Sequence, residues 1–265
     1  VPAGWAGLCD AGARPRHFLH RKGRVLATSR PQFVVLAVPE MLRENREALE
    51  TLCSIVDMTP EEIEAVTRKG EARPGSPVRI MVDAPLEVVA QVGEMRMKLP
   101  GVSVELDQIR YYPDGSAVAH IMGYLGEIDQ KEMERAEKEN KDYQLGDYVG
   151  KAGVEKQYED YLHGIDGGRK VEVNAFGRVV RILGDEPWIP GSDLQLSIDR
   201  DLQIAAARAM GDQVGGVVAL DPRNGAVLAL LGKPGYDPNV FARGVKQAEW
   251  NAIVSNKHKP LQNRC

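Results

Sequence analysis

The alternation of apolar and polar residues predicts short strands interleaved with amphipathic helices. Residues 24–38 read as extended chain ending in a strand, and residues 41–58 place Leu, Cys and Val at helical spacing. Residues 59–70 predict another helix, because Thr59 and Glu62 stand at the spacing of a capping box. The first quarter of the chain therefore indicates a mixed fold.

The remaining pattern continues this mixture, which is typical of the α+β class. The predicted elements are a strand at 78–82, a helix at 83–101, a strand beginning at 102, a highly charged and solvent-facing helix at 129–143, a hairpin at 170–184 turning at Phe176–Gly177, a linker running into a strand at 187–199, a helix at 200–213 capped by Asp199, and a hairpin at 214–239.

The last hairpin is apolar on both faces. Asn224–Gly225 supplies its turn, and Asp221–Pro222 belongs to the same turn chemistry. Strands of this kind are typical of a covered sheet, and one helix with one hairpin cannot bury both faces. We therefore expect the C-terminal part to be the beginning of a larger domain, with the remainder outside this chain.

The composition is that of an ordinary globular protein, and it excludes several classes of function. The apolar fraction is 43%, the charged fraction is 27% and the net charge is −4, so no basic surface for nucleic acid is implied. Cys9, Cys53 and Cys265 are too few and too far apart for a disulfide framework or a zinc site. We expect no metal and no cofactor. No apolar stretch of the length of a membrane span and no signal peptide are recognisable, so an anchor is absent from this chain.

Residues 146–167 raise the question of a phosphate-binding loop. Only three residues separate Gly146 from Gly150, and Ala152 follows Lys151 where a P-loop has Ser or Thr. The stretch therefore reads as a structural joint. In the helix that follows, Val154, Tyr158, Tyr161 and Leu162 share one side, which favours packing in the core.

Four ordered stretches resemble motifs of class B penicillin-binding proteins, and look most like the elongation type, the penicillin-binding protein 2 kind. They are RYYPDGSAVAHIMGYLG at 110–126, GDYVGKAGVEKQYEDYLHGIDG at 146–167, PGSDLQLSIDRDLQ at 190–203 and GGVVALDPRNGAVLALLGKPGYDPN at 215–239. RKGRVLATSRPQF at 21–33 resembles a further motif, but His20 takes its usual acidic position and the expected Arg-Gly is replaced by Arg16–His17. We leave residues 1–21 unassigned, because this departure from the motif makes them a candidate non-native segment.

The resemblance implies an extended pedestal, or dimerisation, domain of short strands and helices at 22–188. An incomplete N-terminal piece of a serine transpeptidase domain, a helix and a β-hairpin, would follow at 189–265. It implies a non-catalytic region that positions a peptidoglycan D,D-transpeptidase outside the cytoplasmic membrane. The implied partners are the SEDS glycan polymerase and other elongation proteins, with peptidoglycan bound only through the missing domain. The alternative is that the parent chain is the enzyme and this sequence is a truncated record of it.

The transpeptidase motifs themselves are not in the sequence. The chemistry needs S-x-x-K, S-x-N and a K-T-G-like strand. None of the eight serines has Lys three residues later or Asn two residues later, and Lys151–Gly153 lacks the hydroxyl of K-T-G. In the family, the PLQNR stretch at 260–264 comes shortly before the nucleophile. We therefore assign no catalytic, cofactor-binding or metal-binding residue.

Three other features have structural interpretations. His120 stands among apolar neighbours and reads as a packed histidine with a satisfied ring. Residues 236–239, YDPN, resemble the family's FDPN and are expected to close a loop near the eventual cleft. The acidic helix at 129–142 reads as a solvated face, with contact to partners as an open alternative.

The absence of an activated serine gives a first prediction. This polypeptide should form no covalent adduct with a fluorescent penicillin, because no serine is followed by the lysine of an S-x-x-K motif. Gel fluorescence after denaturation measures the adduct. A stable adduct linked through a serine would contradict the assignment.

Overall fold

The computed structural model describes residues 3–7, 17–70, 75, 77–139, 141, 143, 146–164, 168–173, 179–187, 189–245 and 247–265. Helices and strands alternate along it, which confirms the α+β class. Within the described residues the strands are β1 Ala3–Gly7, β2 Phe18–Leu19, β3 Val25–Ala37, β4 Val78–Met81, β5 Val102–Tyr111, β6 Leu125–Glu127, β7 Tyr148–Gly150, β8 Gly168–Val173, β9 Val179–Glu186, β10 Leu194–Gln195, β11 Gly215–Leu220 and β12 Val227–Lys233.

Helices of the described residues are mostly short. They are α1 Pro39–Glu44, α2 Arg46–Val56, α3 Pro60–Gly70, α4 Leu86–Glu94, a 3₁₀ turn at Gly115–Ala117, α5 Ala119–Met122, α6 Gln130–Lys138, α7 Gly153–Gln157, α8 Glu159–Leu162, α9 Arg200–Met210, α10 Pro238–Ala242 and α11 Gln247–Val254. The chain divides into two compact units, one of residues 1–30, 110–126 and 149–265, the other of residues 31–109 and 127–148.

The second unit packs α2, α3 and α4 on strands around one core. β3 pairs with β4 antiparallel, from Val35↔Met81 to Ala37↔Val78. Leu52 and Ile63 of the helices are buried with Ile80 of β4 in that core. The alternating burial of β4 and the helical spacing of the leucines are the patterns on which this packing depends.

Capping explains where two helices of this unit begin. The predicted box is confirmed, since the Thr59 amide donates to Glu62 at 2.9 Å and the Glu62 amide donates to Thr59 Oγ1 at 3.3 Å. The single helix predicted at 41–58 is wrong: Asn45 separates α1 from α2 because its side chain accepts from the Ala48 amide at 3.0 Å.

The predicted helix at 83–101 is also too long. The α-helix ends at Glu94, and the following residues form tighter turns in which the Lys98 amide donates to the Met95 carbonyl at 2.8 Å. Gly93, a poor helix former, precedes this change. The charged helix is confirmed over Gln130–Lys138, with Ala136 as its buried residue and most other side chains exposed.

Pairing in the first unit confirms both predicted hairpins. β8 and β9 pair antiparallel and reach Val173↔Val179, while the predicted turn at Phe176–Gly177 lies outside the described residues. β11 and β12 pair antiparallel from Gly215↔Lys233. Their turn is held as expected, because the Gly225 amide donates to the Asp221 carbonyl at 2.8 Å and Gly225 has φ +72°. β1 pairs with β8, β10 pairs with β2, and β2 pairs with β3.

After the last hairpin, the structure contains α10 and α11, which the sequence pattern did not predict. The predicted cap of α9 is confirmed, since Asp199 accepts from the Asp201 amide at 3.2 Å. One face of β11 keeps Val218 and Leu220 exposed, so this sheet has an uncovered apolar side within the described residues.

The core packing predicted for the tyrosines after the joint is wrong. The helix breaks at Tyr158, between α7 and α8, so the spacing no longer keeps these side chains on one side. Leu162 is buried, but Tyr158 is exposed and Tyr161 is 63% exposed. The two rings lie beside each other on the surface, with centroids 6.2 Å apart.

Candidate functional site

The polar side chains of the first unit converge on residues 110–122. This segment comprises the end of β5, the 3₁₀ turn and α5. We call it the hub, because side chains or backbone from four later parts of the chain bind to it. The contacts are described from the most buried outward.

A buried ion pair lies at the start of the hub. Arg110 Nε donates to Glu155 Oε1 at 2.6 Å, and Arg110 Nη2 donates to Glu155 Oε2 at 3.4 Å. The two side chains are only 4% and 2% exposed. Glu155 belongs to α7, so the pair joins residues that are 45 positions apart in sequence. Such a pair is stable only if its remaining polar atoms also have partners.

Tyr112 supplies one of those partners. Its hydroxyl donates to Glu155 Oε1 at 2.8 Å, and the side chain is almost fully buried. Burial, and after it the neighbouring Glu155 carboxylate, raise the pKa of the Tyr112 hydroxyl well above its usual value. The hydroxyl therefore stays protonated at physiological pH and acts as a hydrogen-bond donor.

The guanidinium of Arg110 has two further neighbours from the N-terminal strands. Its Nη1 lies 3.4 Å from Ser29 Oγ, and its central carbon lies 4.5 Å from the centroid of the Phe18 ring. A guanidinium over an aromatic face gains electrostatic attraction, which is largest where water is excluded. The pair is thus enclosed by β2, β3, β5 and α7.

The glycines of the joint allow backbones to cross beside this pair. Gly153 has φ +61°, and a Cβ on it would lie 2.5 Å from the Gly123 nitrogen and 2.5 Å from the Ile121 oxygen. A Cβ on Gly123 would in turn overlap the Ala152 carbonyl, and one on Gly150 would overlap the backbone of Glu155. The interpretation as a joint is supported, since only glycine fits where chain approaches chain this closely.

Lys151 has a structural environment. Its amide donates to the Tyr124 carbonyl at 2.9 Å, and its aliphatic stem runs beside Gly126. Gly150 offers its amide to Glu159 Oε2 at 2.7 Å, so this N–H is already bound. The helix after the loop has five residues, Gly153–Gln157. No cradle of open amides is formed here by Gly150 and Lys151.

The YDPN stretch binds the hub directly. Asn239 accepts from the Tyr112 amide at 2.9 Å and donates to the Tyr112 carbonyl at 3.0 Å. The Tyr236 hydroxyl donates to the Ala119 carbonyl at 3.1 Å, and Asp237 accepts from the Asn239 amide at 3.0 Å. The stretch therefore caps α10 and attaches it to the hub, as a loop-closing interpretation requires.

α9 is attached to the hub by two polar contacts. Arg200 meets Asp114 in a bidentate pair of 2.6 and 2.5 Å. Gln203 is fully buried; its Nε2 donates to the Ala117 and Leu230 carbonyls at 2.6 and 2.9 Å, and its Oε1 accepts from the Leu230 amide at 2.9 Å. A buried amide with these partners is costly to replace, because any substitute leaves backbone groups unpaired.

His120 is confirmed as a packed histidine. Its Nε2 lies 2.9 Å from the Pro260 carbonyl, and its ring meets Tyr236 edge to face with centroids 5.6 Å apart. Burial is the main cause that lowers the pKa of His120. It therefore acts as a neutral donor that holds the C-terminal residues to α5.

Within the described part of the chain, no group of three or more His, Cys, Asp or Glu side chains could hold a metal ion. None of the helices there is both long and apolar enough to cross a membrane. The assignment of no catalytic or binding residue stays a prediction. What this arrangement can do is mechanical: it holds several segments of one unit at fixed positions.

Sequence reasoning from spacing did not find the hub. Arg110, Glu155, Asp114 and Asn239 are far apart in sequence, and a single sequence does not show that they pair. The signal that could have found them is the resemblance, because each lies in one of the quoted motifs.

The buried pair gives a second prediction. Glu155→Gln leaves the Arg110 charge buried without its carboxylate, and should lower the free energy of unfolding by about 3–5 kcal/mol. Urea denaturation followed by circular dichroism measures the change. Glu134→Gln, an exposed change on α6, is the matched control and should stay within about 0.5 kcal/mol. Replacing the pair together, as Arg110→Met with Glu155→Leu, should cost less than Glu155→Gln alone. The opposite order would contradict a dominant role for the unpaired charge.

The close approach of backbones at Gly153 gives a third prediction. Its control distinguishes the strain of a left-handed φ from a steric clash. Gly153→Ala places an alanine in a left-handed conformation and makes its Cβ clash with the backbone of residues 121–123. Gly146 also has a positive φ, +94°, but a Cβ added there would meet nothing within 4 Å. The left-handed conformation alone costs about 1–2 kcal/mol. Gly153→Ala should therefore lower the melting temperature clearly more than Gly146→Ala does. Equal decreases in melting temperature would show that the close approach of the two backbones does not affect stability.

Comparison with known proteins agrees with the motifs. The family model described as "Penicillin-binding Protein dimerisation domain" matches residues 17–196. The chain is 38% identical over 252 residues to the peptidoglycan D,D-transpeptidase MrdA of Escherichia coli strain K12, covering 92% of this chain and 39% of that protein. It is 35% identical over 246 residues to MrdA of Acinetobacter baumannii, covering 92% of this chain and 36% of the relative. The chain thus spans about two fifths of the length of these relatives.

Solved structures share the fold. A complex of penicillin-binding protein PBP2 with MreC from Helicobacter pylori matches with a TM-score of 0.76 at 22% identity, covering 99% of this chain and 48% of that chain. PBP2 from the same organism matches with a TM-score of 0.69 at 23% identity, covering 95% of this chain and 48% of that one. The family match covers more than half of the chain, and the resemblance read from the motifs is confirmed. The chain belongs to the penicillin-binding proteins that carry this dimerisation domain, and among them to the elongation-type class B members.

Proposed function

We propose that this chain is the non-catalytic pedestal region that positions a peptidoglycan D,D-transpeptidase on the outer side of the cytoplasmic membrane. The observation that carries the proposal is the hub, to which residues of the dimerisation-domain match and residues after it both bind. Arg200 and Asn239 reach Asp114 and Tyr112 by paired hydrogen bonds. A pedestal needs such a junction, because it orients a neighbouring domain only if the connection is rigid.

Residues 189–265 are, in this proposal, the start of the transpeptidase domain, and residues 22–188 are the pedestal. The exposed Val218 and Leu220 on β11 support it, since an apolar sheet face is suited to packing against further elements. β11 pairs only with β12 among the described residues, which leaves an edge able to accept another strand. Penicillin binding and cross-linking would then belong to the full-length protein, because S-x-x-K, S-x-N and K-T-G do not occur in this sequence.

The second reading treats the chain as the enzyme itself, represented only in part. The relatives named peptidoglycan D,D-transpeptidase favour this reading for the parent protein. Both readings predict no penicillin adduct with this polypeptide, so the gene sequence distinguishes them: an S-x-x-K motif encoded shortly after Cys265 would support the second reading. The site contacts described above favour the pedestal, because they fix segments in place and present no reactive group.

Partners of the elongation machinery follow from the same proposal. A structure that shares this fold is a complex of PBP2 with MreC, and we propose a protein of the MreC type as a partner of this chain. The SEDS glycan polymerase is a further proposed partner, by family resemblance. A surface suited to such contact lies on α4 and the turns that follow it, where several small or apolar residues are exposed.

This surface, which we call the α4 stripe, consists of Leu86, Ala90 and Gly93 of α4 and of Met97 in the turns that follow the helix. Leu86 is 68% exposed and Met97 is 95% exposed. Exposed apolar groups in a row mark surfaces that bind other proteins, and methionine adapts its shape to a partner. The stripe therefore offers apolar anchors on the second unit.

The fourth prediction tests this surface by binding. The variant Leu86→Asp with Met97→Asp should weaken binding to the MreC-type protein of the same bacterium at least tenfold, because two charges would be desolvated at the contact. Isothermal titration calorimetry measures the affinity. Tyr161→Asp, an exposed apolar side chain on the other unit, is the matched control and should bind like the unchanged chain. Binding that the double variant leaves intact would exclude the stripe, and no binding by the unchanged chain would contradict the proposed partner.

A further inference from the structure

His20 lies at a buried position where, among the described residues, its ring has no hydrogen-bond partner. The residue is 0% exposed. Neither Nδ1 nor Nε2 has a hydrogen-bond partner among the described residues. A neutral imidazole carries one donor and one acceptor, and burying such groups unpaired is costly. The position is therefore tolerated only while the ring is neutral.

The turn that carries His20 is fastened to the beginning of α9. The Gly23 amide donates to the His20 carbonyl at 2.8 Å and the His20 amide donates to the Arg24 carbonyl at 2.9 Å, which closes the turn. The Arg21 amide donates to the Ile198 carbonyl at 3.0 Å. The β2–β3 turn, residues 20–24, therefore lies directly against the residues that enter α9.

Charged groups face His20 from both sides. Lys22 and Arg24 belong to its own turn, while Asp199 and Asp201 belong to the N-terminus of α9. Lys22 contacts Asp199 at 3.5 Å and Arg24 contacts Asp201 at 3.1 Å. The cations and carboxylates are thus already paired with each other. Asp199 has a second task, since it accepts from the Asp201 and Leu202 amides as the cap of α9.

We propose that His20 makes this contact responsive to pH: protonation of its ring opens the β2–β3 turn away from the N-terminus of α9. An imidazolium has two N–H donors, and neither ring nitrogen has a hydrogen-bond partner among the described residues. The ring must then either reach water or take a carboxylate from the existing pairs. Reaching water separates residues 20–24 from the cap of α9, whereas taking Asp199 would withdraw this carboxylate from Lys22 and from its capping bonds.

Opening of the β2–β3 turn costs less free energy than keeping a charged His20 buried. The ion pairs from Lys22 and Arg24 are largely exposed, and exposed pairs contribute little. A buried unpaired charge costs far more than these contacts supply. Once the ring is charged, breaking the contacts of the turn therefore costs less free energy than keeping the charge buried.

The direction of the pH dependence follows from burial. Burial, followed by the charge of Arg24, lowers the pKa of His20 below its ordinary value, and the two carboxylates oppose this. The open state therefore binds protons more readily than the closed state. The closed state is fully favoured above pH of about 6.5, the ordinary value for histidine, and it loses stability as pH falls below that.

The test follows amide exchange of Arg21 by NMR at pH 7.5 and pH 5.5, after correction for the intrinsic pH dependence of exchange. The protection of this amide should fall several-fold, and by about tenfold at most, at the lower pH in the unchanged chain. In His20→Leu, which fills the site without polar atoms, it should change less than twofold. His258→Gln removes an exposed imidazole and should keep the response of the unchanged chain.

A second measurement holds even where the leucine variant folds poorly. Imidazole carbon resonances of the unchanged chain give the titration midpoint of His20. A midpoint below the ordinary histidine value of about 6.5, with line changes at residues 20–24 over the same range, supports the proposal. A midpoint at or above that value, or an undiminished acid response in His20→Leu, would overturn it.

Discussion

The first unit depends on a charge pair that water does not reach. Removing Arg110 and Glu155 from water costs several kcal/mol for each ion, and their attraction compensates only because the geometry is bidentate and the remaining polar atoms are bound. Tyr112, Ser29 and the Phe18 ring supply those further contacts. The pair therefore forms only when β2, β3, β5 and α7 are all in place, and it specifies their arrangement as well as stabilising it.

The other contacts of the hub follow from this constraint. Glu155 can reach Arg110 because Gly153 and Gly123 let two backbones pass without side chains between them. With Tyr112 fixed, its backbone offers Asn239 one donor and one acceptor at a set spacing. Asp114, two residues on, holds Arg200 of α9. Residues of the joint, of α9 and of the YDPN stretch thus share one short segment, which is the mechanical property that the proposed pedestal needs.

Most helices and strands could be predicted from interactions between sequence neighbours, whereas the contacts of the hub could not. Capping at Thr59 and Asp199, the Asn224–Gly225 turn and the alternation in the strands depend on neighbours in sequence, and these predictions are confirmed. The errors occur where one polar side chain interrupts a longer pattern, as Asn45 does between α1 and α2. Tyr158 and Tyr161 show the same limit, because a break in the helix moved them out of the predicted core. Contacts across 45 to 140 residues, such as Arg110 with Glu155 or His120 with Pro260, leave no periodic trace, so only the resemblance of whole motifs pointed to them.

Hydrogen exchange measured by mass spectrometry on Glu155→Gln tests the central role of the hub most directly. If the hub unites the first unit, amides of α9 around Gln203 and of α10 around Asn239 should lose protection together with those of residues 110–122, although neither helix touches Glu155 through a hydrogen bond described above. Loss confined to α7 and its immediate neighbours, with α9 and α10 protected as before, would contradict the account.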